Sequence, residues 1–155
     1  MKKAQRPRSL AKGALAGLIG GIFATAAKHA VERIYPPRPR KEREKPLLLE
    51  VTGKRRLTLV RKAADHPAAR WGLGAATGAA YGALAELYPE ATAKEGASFG
   101  MALVAFTHDG ALPALGLTAR SEDQTMREKS SELASHIVYG VVTETVRRVV
   151  RRVIR

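Results

Sequence analysis

The sequence contains no cysteine, which excludes disulfide bonds and thiolate metal sites. Aromatic residues make up only 5% of the chain, which argues against a protein that recognises specific nucleic-acid sequences. Acidic residues are also scarce, because 14 Asp and Glu stand against 27 Lys and Arg and leave a net charge of +13. Such a charge suggests nucleic acid, an anionic membrane surface or a membrane-topology signal.

The motifs of common enzyme classes are missing as well. The sequence has no GxSxG, no P-loop and no dinucleotide fingerprint, and the glycines of "GLGAATGAAYG" follow a helical pattern without a preceding strand. Three histidines, His29, His108 and His136, are in principle available to a metal, but none has HExxH or similar spacing. We therefore expect no enzymatic activity, no cofactor and no metal.

Uninterrupted apolar runs of the roughly 20 residues that span a bilayer are absent. Four shorter blocks without Lys, Arg, Asp or Glu are present instead, at residues 13–27, 71–85, 96–107 and 110–119. The basic residues are concentrated at residues 2–12, 33–70 and 147–155. This alternation is typical of membrane proteins, with a soluble helix bundle as the alternative.

Helix-start and helix-stop residues predict four helices in a single domain of residues 1–155. Ser9 is a suitable N-cap, Pro67 suits a first helical turn, and Pro36 and Pro89 each end a helix. We expect helices at about residues 9–34, 67–88, 91–110 and 130–153. The predicted fold class is all-α, a four-helix transmembrane bundle with a basic, partly irregular loop at residues 35–66.

Glycines recur at four-residue spacing in the first two predicted helices, which places them on one face of each helix. In water each such glycine costs roughly 1 kcal/mol relative to alanine, whereas in lipid it lets two helix backbones approach closely. The pattern predicts a glycine zipper between membrane helices, and a tightly packed soluble helix pair is the alternative. The predicted packing residues are Gly13, Gly17, Gly21, Gly74, Gly78 and Gly82.

Each predicted helix carries an ionisable residue in its inner or end region. Lys28 and Glu32 are one helical turn apart and can pair. Inside a bilayer such groups face the bundle interior, where they pair or line a pathway. The cluster is therefore interpreted either as a proton or ion relay or as salt bridges that hold the fold. The candidate intramembrane polar cluster consists of Lys28, Glu32, Tyr81, Glu86, His108, Asp109, His136, Tyr139 and Glu144.

Four stretches carry a family resemblance: "GLIGGIFATAAKHAVERIYPPR", "GLGAATGAAYGALAELYPEA", "ALPALGLT" and "ELASHIVYGVVTETVRR". In this order they resemble the YagU-like family of bacterial inner-membrane proteins of unknown function. The resemblance implies a multi-pass protein of the bacterial inner membrane, and the very basic stretch after the first helix departs from the family pattern. The recurring polar residues of the family fall on Lys28, Glu32, Pro36, Pro37, Arg38, Tyr81, Glu86, His108, Pro113, His136, Tyr139 and Glu144.

The leading interpretation is a small multi-pass integral membrane protein of unknown biochemical activity. Its expected partners are the lipid bilayer and anionic lipid head groups at the basic loop, whereas homo-oligomerisation and membrane orientation are left open. The alternative is a soluble or peripheral basic helical protein that binds nucleic acid or anionic lipid. The N-terminal stretch also has the form of a signal peptide cut before Ala27, but we expect retention because the resemblance continues through Lys28 and Glu32.

Overall fold

The computed structural model describes residues 9–37, 66–107 and 124–154. These residues form four α-helices and one 3₁₀ segment, and they contain no strand, which confirms the predicted all-α class. The helices are α1 (Leu10–Ile34), α2 (Pro67–Leu87), α3 (Ala97–Val104) and α4 (Met126–Val153), and the 3₁₀ segment (Pro89–Gly96) joins α2 to α3. The predicted basic loop, residues 35–66, lies outside the described residues except at its two ends.

Local sequence explains where α1 and α2 begin and end. The hydroxyl of Ser9 accepts the N–H of Lys12 at 3.4 Å, and Nδ1 of His66 accepts the N–H of Ala68 at 3.2 Å. The last helical residue of each is followed by a tyrosine and then a proline. Because a residue before proline is disfavoured in the helical conformation, both helices end at that tyrosine.

The third predicted helix begins later in the structure than the expected residue 91. Lys94 and Glu95 adopt the left-handed conformation, with φ of 52° and 56°, and Gly96 follows with φ of 89°. Three successive left-handed residues cannot continue an α-helix, so α3 begins only at Ala97. Its expected end at residue 110 lies outside the described residues.

The fourth predicted helix begins earlier than the expected residue 130. Thr125 and Glu128 form a capping box, in which the Thr125 hydroxyl accepts the Glu128 N–H at 3.3 Å. The Glu128 carboxylate in turn accepts the Thr125 N–H at 2.8 Å. These two bonds satisfy backbone donors that a helix start leaves free, and α4 therefore begins at Met126.

Helix α1 lies between α2 and α4 and runs antiparallel to both. On one side the glycines at 13, 17 and 21 face those at 82, 78 and 74 of α2, in reversed order. On the other side Gly20 faces the backbone of Thr143, and α3 packs across α4 where Gly100 meets the backbone of His136. A Cβ built at any of these contacting glycines would lie less than 3 Å from an atom of the neighbouring helix.

The distribution of side chains is the reverse of that in a soluble protein. The buried apolar residues are small or aromatic, and the largest fully buried side chains include Tyr81, Thr143 and Glu144. Large apolar side chains are exposed, including Phe23 at 59% and Leu73 at 71%. Buried polar groups and exposed apolar groups are the informative exceptions to normal burial, so this inversion needs an explanation.

Among the described helices, only α1 is both long and apolar enough to cross a membrane. Its most apolar window of 18 residues has a mean hydropathy of 1.5. A core helix of a soluble protein or a signal sequence meets the same criterion, so this finding is weak evidence for membrane association. The four-span bundle therefore stays a prediction.

Candidate functional site

The buried face of α4 is polar along almost its whole length. Its residues recur every four positions and therefore lie on one side of the helix, with His136, Gly140 and Glu144 beside them. We call this face the polar stripe, and its members are Ser131, Ser135, Tyr139, Thr143, Arg147 and Arg151. The polar stripe connects two groups of charged side chains, one near each end of the bundle.

The first group, which we call the arginine end, consists of Glu86, Glu144, Arg147, Arg148 and Arg151. The Glu144 carboxylate is only 1% exposed. It accepts bonds from Arg147 Nε at 2.7 Å, Arg147 Nη2 at 2.9 Å and Arg148 Nε at 2.6 Å. The Tyr81 hydroxyl donates a further bond to it at 2.9 Å. These contacts compensate a charge whose burial would otherwise be costly.

Glu86 brings three helices together at the arginine end. Its carboxylate accepts Nε and Nη2 of Arg151 at 2.6 and 2.9 Å, in the two-bonded geometry that suits a guanidinium group. It also accepts the N–H of Ser9 at 3.3 Å. Because Ser9 precedes α1, Glu86 is on α2 and Arg151 is on α4, this carboxylate ties the ends of three helices.

The second group, which we call the lysine end, consists of Lys28, Glu32, Arg70 and Ser135. Lys28 forms an ion pair with Glu32 one turn along α1, and its ammonium group donates to the Ser135 hydroxyl at 3.0 Å. Arg70 of α2 reaches the other carboxylate oxygen of Glu32 at 3.4 Å. The lysine end is therefore a second place where α1, α2 and α4 meet through charged or polar side chains.

The middle of the polar stripe bonds mainly to backbone. The Tyr139 hydroxyl donates to the carbonyl oxygen of Gly74 at 2.6 Å, and the Thr143 hydroxyl donates to the carbonyl oxygen of Tyr139 at 2.7 Å. Nδ1 of His136 lies 2.8 Å from the carbonyl oxygen of Glu132. These bonds satisfy buried polar side chains within or between neighbouring helices.

The predicted polar cluster is divided in the structure rather than gathered at one place. Lys28 and Glu32 lie at the lysine end, where they pair with each other as expected, and the α4 partner of Lys28 is Ser135. Tyr81, Glu86 and Glu144 belong with the arginine end, and His136 and Tyr139 lie between the two groups. His108 and Asp109 are outside the described residues.

Three residues of the arginine end, Arg147, Arg148 and Arg151, were not among the predicted site residues. The sequence signal for the first two is their spacing from Glu144, which they follow by three and four residues. The basic block they belong to is also what a membrane interface would carry, so the sequence alone did not separate a buried role from a surface role. Within residues 9–37, 66–107 and 124–154, no group of three or more metal-ligating side chains is placed to hold an ion.

The match to known proteins covers most of the chain. A family described as "Protein of unknown function (DUF1440)" matches residues 22–145, a range that contains α2, α3 and most of α1 and α4. No curated protein and no solved structure matches the chain. The resemblance to the YagU-like family stays a prediction.

Proposed function

The chain belongs to the DUF1440 family of proteins of unknown function, and from this premise we propose that it is a small multi-pass integral membrane protein. In this proposal the polar stripe faces the bundle interior, and the exposed apolar side chains face lipid. The protein is not an enzyme in this proposal, and its charged groups hold helices together.

The inverted distribution of side chains is the observation that carries the proposal. On α1 the exposed positions include Leu15, Leu18, Ile22 and Phe23, whereas the buried positions are glycine, alanine and threonine. In water this arrangement exposes apolar surface without burying a comparable apolar core. In a bilayer the same arrangement places apolar side chains in hydrocarbon and lets small residues bring helix backbones together.

The dimensions of α1 agree with this role. Its 25 residues correspond to roughly 37 Å at 1.5 Å per residue, which exceeds the roughly 30 Å of a hydrocarbon core. Lys28 and Glu32 then lie within the last turns of the helix and toward one interface. A pair of opposite charges that also bonds to a neighbouring helix is tolerated there far better than an isolated charge.

The contacts favour a structural role of the polar stripe over a proton or ion relay. A relay needs side chains that pass a proton to one another, whereas the hydroxyls of Tyr139 and Thr143 donate to backbone carbonyl oxygens. The charged groups at the two ends bond to residues on three helices, as interhelical clamps would. A proton- or ion-related activity stays the finer hypothesis for this cluster.

The proposed location is the inner membrane of a bacterial cell. This part of the proposal is supported by the YagU-like resemblance and by the alternation of uncharged and basic blocks. Anionic lipid head groups at the basic loop are the partners proposed with it.

Membrane fractionation tests the proposal. We expect the protein to stay with the membrane pellet after high-salt and alkaline carbonate washes and to need detergent for solubility. Release by carbonate or salt would contradict membrane integration and would favour the peripheral basic protein that binds nucleic acid or anionic lipid. Such binding would weaken steeply with rising salt, whereas lipid-embedded helices would not be released.

A further inference from the structure

An open pocket of about 390 Å³ lies at the arginine end of the bundle. It is lined by Glu86, Arg147, Arg148, Arg151 and Arg152. We propose that this pocket binds the phosphate group of an anionic membrane lipid. The inference rests on the proposed membrane location, and it adds a specific lipid-binding site to it.

The charges around the pocket are not balanced by the described residues. Four guanidinium groups line it, and the carboxylates that contact them are those of Glu86 and Glu144. Two positive charges are therefore in excess. Within the described part of the chain Arg152 forms no ion pair, and its side chain is exposed next to the buried Arg151. An anion in the pocket would compensate this excess.

The hydrogen-bond donors are in excess as well. A guanidinium group has five N–H donors, whereas a carboxylate offers about four acceptor positions. Glu144 already accepts three N–H groups of Arg147 and Arg148 and the hydroxyl of Tyr81. The other donors of these arginines are available to another acceptor. Phosphate oxygens are suitable, because arginine binds them through two parallel bonds.

The surroundings of the pocket favour a lipid over free phosphate. Leu87 follows Glu86 on α2, and Val149 and Val153 alternate with the pocket arginines on α4. All three apolar side chains are exposed. These exposed apolar side chains neighbour the pocket residues along their helices, so the acyl chains of a lipid bound through its phosphate would have apolar side chains to pack against, whereas a free phosphate ion would use the arginines alone.

The experiment is a binding titration of the full-length protein purified in a neutral detergent. Unfolding temperature is measured against added phosphatidylglycerol, phosphatidylcholine and inorganic phosphate in separate series. We expect phosphatidylglycerol to raise the unfolding temperature at much lower concentration than the other two. Replacing Arg148 and Arg152 by glutamine should weaken the apparent phosphatidylglycerol affinity by about 30-fold, from the typical contribution of two basic residues near an anionic surface.

A control variant separates this pocket from general charge attraction. Arg33→Gln with Lys129→Gln removes two exposed positive charges from the opposite end of the bundle and should leave the affinity within about twofold. Arg152→Gln alone, which breaks no ion pair within the described residues, should weaken binding about fivefold. The Arg152→Gln variant keeps the test valid if the variant with both Arg148 and Arg152 replaced folds poorly.

Three results would overturn the inference. Equal effects of phosphatidylglycerol and phosphatidylcholine would show that the pocket does not select an anionic phosphate. Equal losses in the pocket and control variants would show general electrostatic attraction. Stabilisation by inorganic phosphate without any by phosphatidylglycerol would overturn the lipid source. If the protein dissolves without detergent, the proposed membrane function fails, and the phosphate series in water still tests the pocket separately.

Discussion

Gly17 on α1 and Gly72 on α2 are both helical glycines, but an added methyl group would meet different surroundings at each. At Gly17 a Cβ would lie 2.1 Å from the carbonyl oxygen of Gly78 and 2.8 Å from the Cα of Gly82. At Gly72 a Cβ would have no neighbour within 4 Å. Gly17→Ala therefore tests the contact between the helices, and Gly72→Ala is its matched control.

The two substitutions should change the free energy of unfolding in opposite directions. Alanine is favoured over glycine in a helix by about 1 kcal/mol, so Gly72→Ala should raise stability by up to that amount. Gly17→Ala has the same gain, but α1 and α2 must separate by roughly 1 Å to restore an ordinary carbon–oxygen distance. Overpacking against rigid backbone costs about 3 kcal/mol, which leaves an expected net loss of about 2 kcal/mol.

Thermal or denaturant unfolding of both variants, followed by circular dichroism in the same mild detergent, measures this difference. Gly78→Ala, which reverses the roles of the two helices, should behave like Gly17→Ala, because its Cβ would lie 2.3 Å from the carbonyl oxygen of Gly17. Equal stability of Gly17→Ala and Gly72→Ala would refute the close approach of the two helices.

Three further outcomes are expected. Lys28→Met should lower stability more than the double change Lys28→Met with Glu32→Gln, because the single change leaves the Glu32 carboxylate without its ammonium partner. Additive effects of the two changes on the free energy of unfolding, measured in a double-mutant cycle, would contradict a coupled pair. Glu144→Gln should cost about 3 kcal/mol, because buried Arg147 and partly exposed Arg148 lose their shared carboxylate, whereas exposed Glu90→Gln should change stability by less than about 0.5 kcal/mol. Similar shifts in the unfolding temperatures of these two variants would argue against the buried network. Intact mass of the purified protein should include the residues before Ala27, and a chain that starts at Ala27 would remove the α1 glycines that face α2.

Features decided within a few residues could be predicted from the sequence. The cap at Ser9, the proline after His66 and the tyrosine–proline pairs after α1 and α2 are local signals. The start of α4 has a local signal too, since Thr125 and Glu128 have capping-box spacing in the sequence.

Features that depend on packing could not be predicted in the same way. The left-handed residues Lys94 and Glu95 have no glycine to indicate their conformation, and the turn they form places Gly96 against the backbone of Gly140. Nothing near residue 94 in the sequence indicates that contact. The sequence also indicated which charged residues are buried, but it predicted a single cluster. Their division into two ends depends on which helices run antiparallel, and no local signal shows that.

The four-residue repeat of the polar stripe has a consequence for the register of α4. If α4 slid by one turn along α1, Ser131 would take the place of Ser135 beside Lys28, and Arg147 would take the place of Arg151 beside Glu86. Lys28 and Glu86 would each keep a partner of the same chemical type after the slide. These two contacts therefore favour docking of α4 but do not by themselves choose between neighbouring registers.

Gly140, the one stripe neighbour without a side chain, discriminates between these registers of α4. A Cβ there would lie 2.2 Å from the carbonyl oxygen of Gly96 and 2.7 Å from the backbone nitrogen of Gly100. A slide of one turn in either direction would bring His136 or Glu144 to this position, where there is no room for a side chain. Gly140 thus excludes registers of the 28-residue α4 that the partners of Lys28 and Glu86 would accept.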